Sequence, residues 1–295
     1  MIILRWVKAH PWKTLLATIF LIVFAELLTI PWFDVPRLRQ VNPEQTALMK
    51  QREEESRENG KRWRLVHSWI PLSKIPQYVA DAVVVEEDGT FYSHGGFDWY
   101  EVGQSMEKNL HTRRFARGGS TITQQLAKNL YLSTSKDPIR KVKEAIITLL
   151  LEHYLTKNRI LELYLNEIEW GPGIFGIEAA SRTYFQKSAA NLTPDEALRL
   201  AAVIPSPLRH RPDTDSRYVL RRSAMVERRL EARRKGIILT SEEDDSTEDT
   251  IELAPGKLPV STPPDTLRER DTSTTIVPVP PDTTKLKDTT DTEGG

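Results

Sequence analysis

Three stretches of this chain combine residue types that could do chemistry at short spacing. The first, AVVVEEDGTFYSHGGFD from Ala82, packs Glu86, Glu87, Asp88, His94 and Asp98 beside Phe91 and a Gly95-Gly96 turn. A carboxylate among apolar and aromatic groups is pushed toward the range of a general acid or base. The same residues would also serve as a capping and turn cluster. The second, ARGGSTITQQLAKNLYL, runs from Ala116 to Leu132. Gly118-Gly119 before Ser120 and Thr121 reads as a loop feeding a helix, whose first backbone N–H groups favour an anion such as phosphate. The Gly-x-x-x-x-Gly-Lys spacing of a P-loop is absent. Gln124, Gln125, Lys128 and Asn129 add donors on the following turns, and a plain capped amphipathic helix would carry them equally well.

The third stretch, DPIRKVKE, spans Asp137 to Glu144. Arg140 and Lys141 lie four and three residues before Glu144 and share adjoining helix faces with it. They favour the ionised form of Glu144, whereas Glu86, Glu87 and Asp88 sit beside apolar residues. Carboxylates in unlike environments are the usual basis for assigning acid and base roles; a surface ion-pair ladder has the same spacing. Histidines His67, His94, His111, His153 and His210 show no metal-ligand spacing. Two Ser-x-x-Lys strings, Ser105 to Lys108 and Ser133 to Lys136, lack the SDN and KTG partners of penicillin-binding serine enzymes.

Mainly helical elements must position these groups. Thr193, Pro194 and Glu196 form a capping box with proline at the first helical position, and Pro205 stops that helix. Asp137-Pro138 opens another, carrying Ile139, Val142, Ile146, Leu149 and Leu150 at helical spacing. Val83 to Val85 fits a short strand or a buried helical turn. Strand alternation is otherwise scarce.

The chain has 295 residues with 41 basic and 41 acidic side chains and no cysteine, which excludes a disulfide scaffold, a Cys-ligated zinc site and a thiol enzyme. Its zero net charge is a sum of opposites. Residues 241–295 hold 14 acidic and 5 basic residues and no aromatic one, so the preceding body carries +9. Residues 14–33 are apolar except for three threonines and Glu26, long enough as a helix to span about 30 Å of hydrocarbon. Arg5, Lys8 and Lys13 precede this run and Trp12 and Trp32 flank it, which suits an uncleaved signal anchor with residues 1–13 in the cytoplasm. A buried soluble helix or a cleaved signal has the same composition, and Arg37 and Arg39 weaken the charge asymmetry, so the orientation rests mainly on function. Glu26 is discordant with a span. Residues 34–63, charged and including EEESREN, read as a stalk; 64–236 as the globular domain; and 237–295, rich in Pro, Thr and Asp, as a disordered acidic tail.

Five ordered blocks, EDGTFYSHGGFD, GGSTITQQLAKNLYL, RKVKE, KNRILELYLNEIEWGPGIFGIEAASRTYF and LAAVIPSPLRHRP, resemble the monofunctional biosynthetic peptidoglycan glycosyltransferases. That family is shared with the glycosyltransferase domain of bifunctional penicillin-binding proteins. The resemblance covers residues 63–212. It implies a mainly α, lysozyme-like domain with a smaller, membrane-proximal jaw lobe. It also implies inverting polymerisation of lipid II into β-1,4 glycan strands with undecaprenyl diphosphate leaving.

Carried across block by block, Glu87 matches the catalytic glutamate, with Asp88, Phe91, His94 and Asp98 supporting it, and Glu144 matches the second glutamate. Ser120, Thr121, Gln124, Gln125, Lys128 and Asn129 match the substrate-binding block, and Lys136 stands where the family often has Arg. Glu87 as general base is worth about 10² to 10⁴ in rate. Lys128, Lys136, Arg140 and Lys141 suit the leaving diphosphate. Glu144 would orient these cations or a divalent ion, Mg or Mn; no other cofactor is implied. Gln186 departs from a common Gly, and Glu101–Met106 from an Ala-rich helix.

No transpeptidase domain is expected in the 60 residues after Lys235, so cross-linking would come from a transpeptidase or other cell-wall synthesis partner. The location implied is the bacterial inner membrane, single-pass, with the catalytic domain outside the cytoplasm; nothing points to nucleic acid. The basic run from Arg209 to Lys235 reads as a cationic amphipathic helix, on lipid headgroups or solvated. Two other functions compete: a lysozyme-like hydrolase, which would not need the cations of a diphosphate site, and a catalytically silent scaffold.

Overall fold

The computed structural model describes residues 10–99, 103, 120–135 and 137–236. Gly118-Gly119, His111, Lys136, both Ser-x-x-Lys lysines and the tail at 237–295 lie outside the described residues. All described residues belong to one unit, Met1–Glu252.

Helix α1 (Pro11–Leu28) is long and apolar enough to cross a membrane, and nearly every side chain on it is exposed. It is shorter than the run at 14–33 suggests. The chain turns at Thr29, Trp32 Nε1 donates to the Leu27 carbonyl at 2.8 Å, and Ile30 is buried in the body. Glu26 forms an ion pair with Lys143, which accounts for a carboxylate near the end of an apolar helix.

The segment read as a stalk is part of the body. After a single turn, α2 (Asp34–Arg37), Val35 and Leu38 are buried, and Arg159 donates to the Leu38 carbonyl at 2.7 Å and to Asn42 Oδ1 at 2.7 Å. Helix α3 (Ala47–Glu58), capped by Thr46, buries Leu48 and Met49 against Phe175 and Trp63, and Arg52 pairs with Glu169 at 2.9 Å. The charged string EEESREN covers the rest of a helix whose first turn alone is apolar, so composition hides the contact.

Strand β1 (Val66–His67) leads to α4 (Gln77–Glu87), α5 (Ile122–Tyr131), α6 (Pro138–Tyr154) and α7 (Lys157–Glu167). Val83, Val84 and Val85 lie in the helix α4 and are buried, packing against later helices. Burial overrides the modest helix penalty of β-branched residues. Asp137 caps α6 with Pro138 at its first position. Its buried face holds Glu144, Ile147, Thr148 and Leu151, whereas Ile139, Val142 and Leu149 of the apolar stripe are exposed.

Strands β2 (Glu169–Gly171) and β3 (Ile174–Phe175) complete a small sheet of order β1-β3-β2, parallel on one side of β3 and antiparallel on the other. Helix α8 (Ile177–Phe185) ends at Gln186 with φ 58°, a left-handed position. The departure from Gly at this site therefore falls where a Cβ is disfavoured. Helix α9 (Pro194–Val203) has the expected capping box. The basic run forms α10 (Arg217–Arg234), which buries Val219, Ser223, Met225 and Val226 and packs on α4 and α9. Leu126, Ile147, Leu151, Ile160, Leu161, Tyr164 and Trp170 centre a core shared by these helices.

Candidate active site

Helix α4 ends in two adjacent glutamates that meet different surroundings. Glu86 points to α10, where Arg222 pairs with one carboxylate oxygen and Arg229 Nη1 reaches the other at 2.7 Å. Its side chain is almost fully enclosed. Glu87 points to α5, and Gln125 Nε2 donates to its Oε2 at 2.6 Å. The Gln125 amide is oriented from behind, because Tyr164 on α7 donates its hydroxyl to Gln125 Oε1 at 3.0 Å. Glu87 keeps some accessible surface, but protein atoms pack densely about its carboxyl. Burial pushes that carboxyl up to about 7; Glu86 adds to the rise, while the Gln125 hydrogen bond, Arg222 and Lys128 oppose it. A carboxyl titrating near neutrality is poised to take and release a proton.

Asp88 serves a different purpose. Its Oδ1 accepts from His94 Nε2 at 2.9 Å and its Oδ2 accepts the Ile122 N–H at 3.0 Å. The Gly96 N–H donates to His94 Nδ1 at 3.1 Å, so the ring proton sits on Nε2. Thr121 Oγ1 accepts the Gln124 N–H and donates to the Gly96 carbonyl, while Gln124 Oε1 accepts the Thr121 N–H. Three N–H groups at the start of α5, those of Thr121, Ile122 and Gln124, are therefore taken within the protein by Asp88 and a Thr121–Gln124 capping box, while Gly118-Gly119 lies outside the described residues. The first block is pinned to α5 by these bonds and to α6 by close approach. Gly96 has φ 93°, and a Cβ there would lie 2.8 Å from Thr148 Cγ2. Asp98 accepts from Thr90, and Phe91 is buried with Lys157 Nζ 4.4 Å above its ring.

On α6, Glu144 is buried and ion-paired to both cations that its spacing implied, Arg140 at 2.6 Å and Lys141. Arg140 also donates to the Ser135 carbonyl. Lys128 lies within electrostatic reach of both Glu87 and Glu144. Burial pushes its ammonium below the ordinary value, Glu144 and Glu87 hold it up, and Arg140 and Lys141 repel it. Among the described residues Lys128 makes no ion pair and Asn129, buried one position on, makes no side-chain hydrogen bond. The surroundings of Glu144 do not fit a divalent cation. Both its oxygens are held by Arg140 and Lys141, and no group of three His, Asp or Glu among the described residues could ligate a metal.

Residues 55–231 match the transglycosylase family. The chain belongs to that family. Three relatives carry the name "biosynthetic peptidoglycan transglycosylase". That of Dechloromonas aromatica is 42% identical over 228 residues, covering 77% of this chain and 96% of its own. That of Methylobacillus flagellatus is 39% identical over 226 residues, covering 76% and 97%. That of Aromatoleum aromaticum is 48% identical over 169 residues, covering 57% and 74%. As a transglycosylase the chain is a glycosyltransferase enzyme.

The structure brings Glu87 together with Gln125 and Lys128, and Lys128 within electrostatic reach of Arg140, Lys141 and Glu144, with Asn129 buried on the same helix as Lys128. Ser120 is exposed at the entrance to α5. Thr121, the Gln124 amide oxygen, Asp88 and His94 are engaged in holding the framework. Lys136 lies outside the described residues. Two groups escaped the sequence reading. Tyr164 sits in a block recognised for its pattern, with no local mark of its reach to Gln125. Arg222 and Arg229 were part of the basic run, but their shared target is 136 and 143 residues away.

Proposed function

We propose that this chain polymerises lipid II at the outer face of the cytoplasmic membrane, with Glu87 as general base. The acceptor sugar's 4-hydroxyl oxygen attacks the donor's anomeric carbon and its proton passes to the Glu87 carboxylate. The bond from that carbon to the diphosphate oxygen breaks, and undecaprenyl diphosphate leaves with the electron pair. Attack opposite the leaving group converts an α-linked donor into a β-linked product. Lys128, Arg140 and Lys141 offset the charge growing on the diphosphate, the kind of fixed electrostatic help that contributes most to such steps. Glu144 holds Arg140 and Lys141 in place, and no metal takes part in this scheme.

The observation that carries the reading is the Glu87 carboxyl, pushed up to about 7 by burial and hydrogen-bonded by Gln125, with Lys128, which makes no ion pair among the described residues, one turn beyond Gln125 on α5. A lipid-linked substrate is supported by the Glu26–Lys143 pair. It ties the end of α1 to the residue next to Glu144, on a helix that exposes Ile139 and Val142. The same site read as a glycan-cleaving hydrolase leaves Lys128, Arg140 and Lys141 without a task. Growing glycan strands would pass to a partner transpeptidase.

The test is conversion of fluorescent lipid II to polymer by the full chain in detergent. Glu87→Gln should remove the activity, a loss of at least about 10²-fold, while leaving the thermal melt in place. Polymerisation by Glu87→Gln at the wild-type rate would refute the base assignment.

A further inference from the structure

Helix α10 has no place in the chemistry above, yet two of its arginines end on the residue beside the base. Arg222 and Arg229 take opposite oxygens of Glu86, whose side chain is almost fully enclosed. The Arg222 Nε is itself buried without a partner among the described residues. A guanidinium held in that state departs from the rule that buried polar atoms are satisfied, and the departure asks for a reason. Packing of α10 on α4 supplies the geometry, with Val219, Ser223 and Val226 buried at the contact side.

We infer that Arg222 and Arg229 are positioning residues. They neutralise Glu86 so that the adjacent Glu87 can ionise, and they turn the end of α4 so that Glu87 alone faces α5. The inference rests on Glu87 being the base. Described groups from four helices enter this balance. Glu86 and Asp88 flank it, with Asp88 engaged by His94 and the Ile122 N–H. Lys128 and Gln125 face it from α5, Tyr164 from α7 and Arg222 from α10. Glu86 raises the Glu87 carboxyl and Arg222 lowers it, so removing either one moves Glu87 in opposite directions.

The experiment is the pH profile of kcat/KM for lipid II polymerisation by the full chain, comparing Arg222→Gln, Glu86→Gln and the double variant. Arg222→Gln leaves Glu86 with Arg229 and takes from Glu87 the nearby cation that lowers it, so the acidic limb should move up by about one pH unit, a roughly fivefold loss at pH 7. Glu86→Gln removes the like charge and keeps the cations, so the limb should move down. The double variant should return close to wild type. If Arg222→Gln lacks a cooperative melt, Arg229→Gln replaces it, since it opens the other half of the same clamp. A purely structural clamp lowers activity in both single variants without shifting the limb, and that result overturns the inference. So does a limb that moves the same way in both. Activity of Glu87→Gln would instead overturn the base assignment; an inactive Glu87→Gln with an unmoved limb in folded Arg222→Gln rejects the clamp alone.

Discussion

Replacing Gln125 by Leu should separate a base tuned by its hydrogen bond from one tuned by burial alone. In the wild type Gln125 donates to Glu87 at 2.6 Å and is itself held by Tyr164. This bond favours the ionised carboxylate, so its loss raises a carboxyl already displaced to about 7. A hydrogen bond to a charged group is worth about 1.5–3 kcal/mol, or roughly one to two pH units. At pH 7 the ionised fraction would fall from about one half to between one tenth and one hundredth, a loss of roughly five- to fiftyfold. The sign is specific: a base acts when ionised, so the lost activity should return as pH rises through 8 to 9. The assay is initial rate of lipid II polymerisation from pH 5.5 to 9.5, with Tyr164→Phe as a companion expected to shift the limb by less. An equal loss at every pH would mean that Gln125 binds substrate or supports the fold, and would refute the tuning argument.

Three further outcomes follow from particular residues. Gln186→Gly should stabilise the protein by about 0.5–1 kcal/mol, because Gln186 holds φ 58°; a lowered melting temperature would contradict this. Glu167 is fully enclosed, neither oxygen makes a hydrogen bond among the described residues, His67 Nε2 lies 3.7 Å from Oε1, and burial raises the carboxyl to about 8 against the opposing charge of Arg159. Its stabilising effect is therefore complete below the ordinary glutamate value and declines up to about pH 8, so Glu167→Gln should gain on wild type between pH 5 and 8 in parallel melts. Met49→Ala should cost about 2–5 kcal/mol, since Met49 is buried against Phe175; an unchanged melt would restore the segment to a solvated stalk.

Much of this architecture was legible locally. Asp137-Pro138 and Thr193-Pro194-x-Glu196 mark helix starts because an N-cap, a proline and a capping glutamate act within one turn. Glu144 with Arg140 and Lys141 was legible for the same reason, since three- and four-residue spacing on a helix brings side chains together without help from the rest of the fold. The three valines before Glu86 were ambiguous because only packing on α9 and α10 makes a helix of them. The α6 stripe misled differently. Ile139, Val142 and Leu149 have core spacing and face outward, while the face bearing Glu144 and Thr148 turns in. The Gly-rich entry to α5 suggested an anion site; at the helix start the Ile122 N–H goes to Asp88 from another segment, a contact that no local spacing shows.

The chain's division into a basic body and an acidic tail, its apolar N-terminal run and the order of its five blocks all stand in the sequence, because each is a matter of composition or short spacing. Glu86 and Glu87 do not separate at that level. They are the same residue type at the end of one helix, and resemblance alone distinguishes them. The tertiary structure separates them by what it packs against each. Two guanidinium groups from α10 compensate Glu86. Glu87 meets a neutral amide in surroundings that strip away its water, and so rises toward neutrality. Desolvation and long-range pairing are properties of packed helices, and no local spacing encodes them.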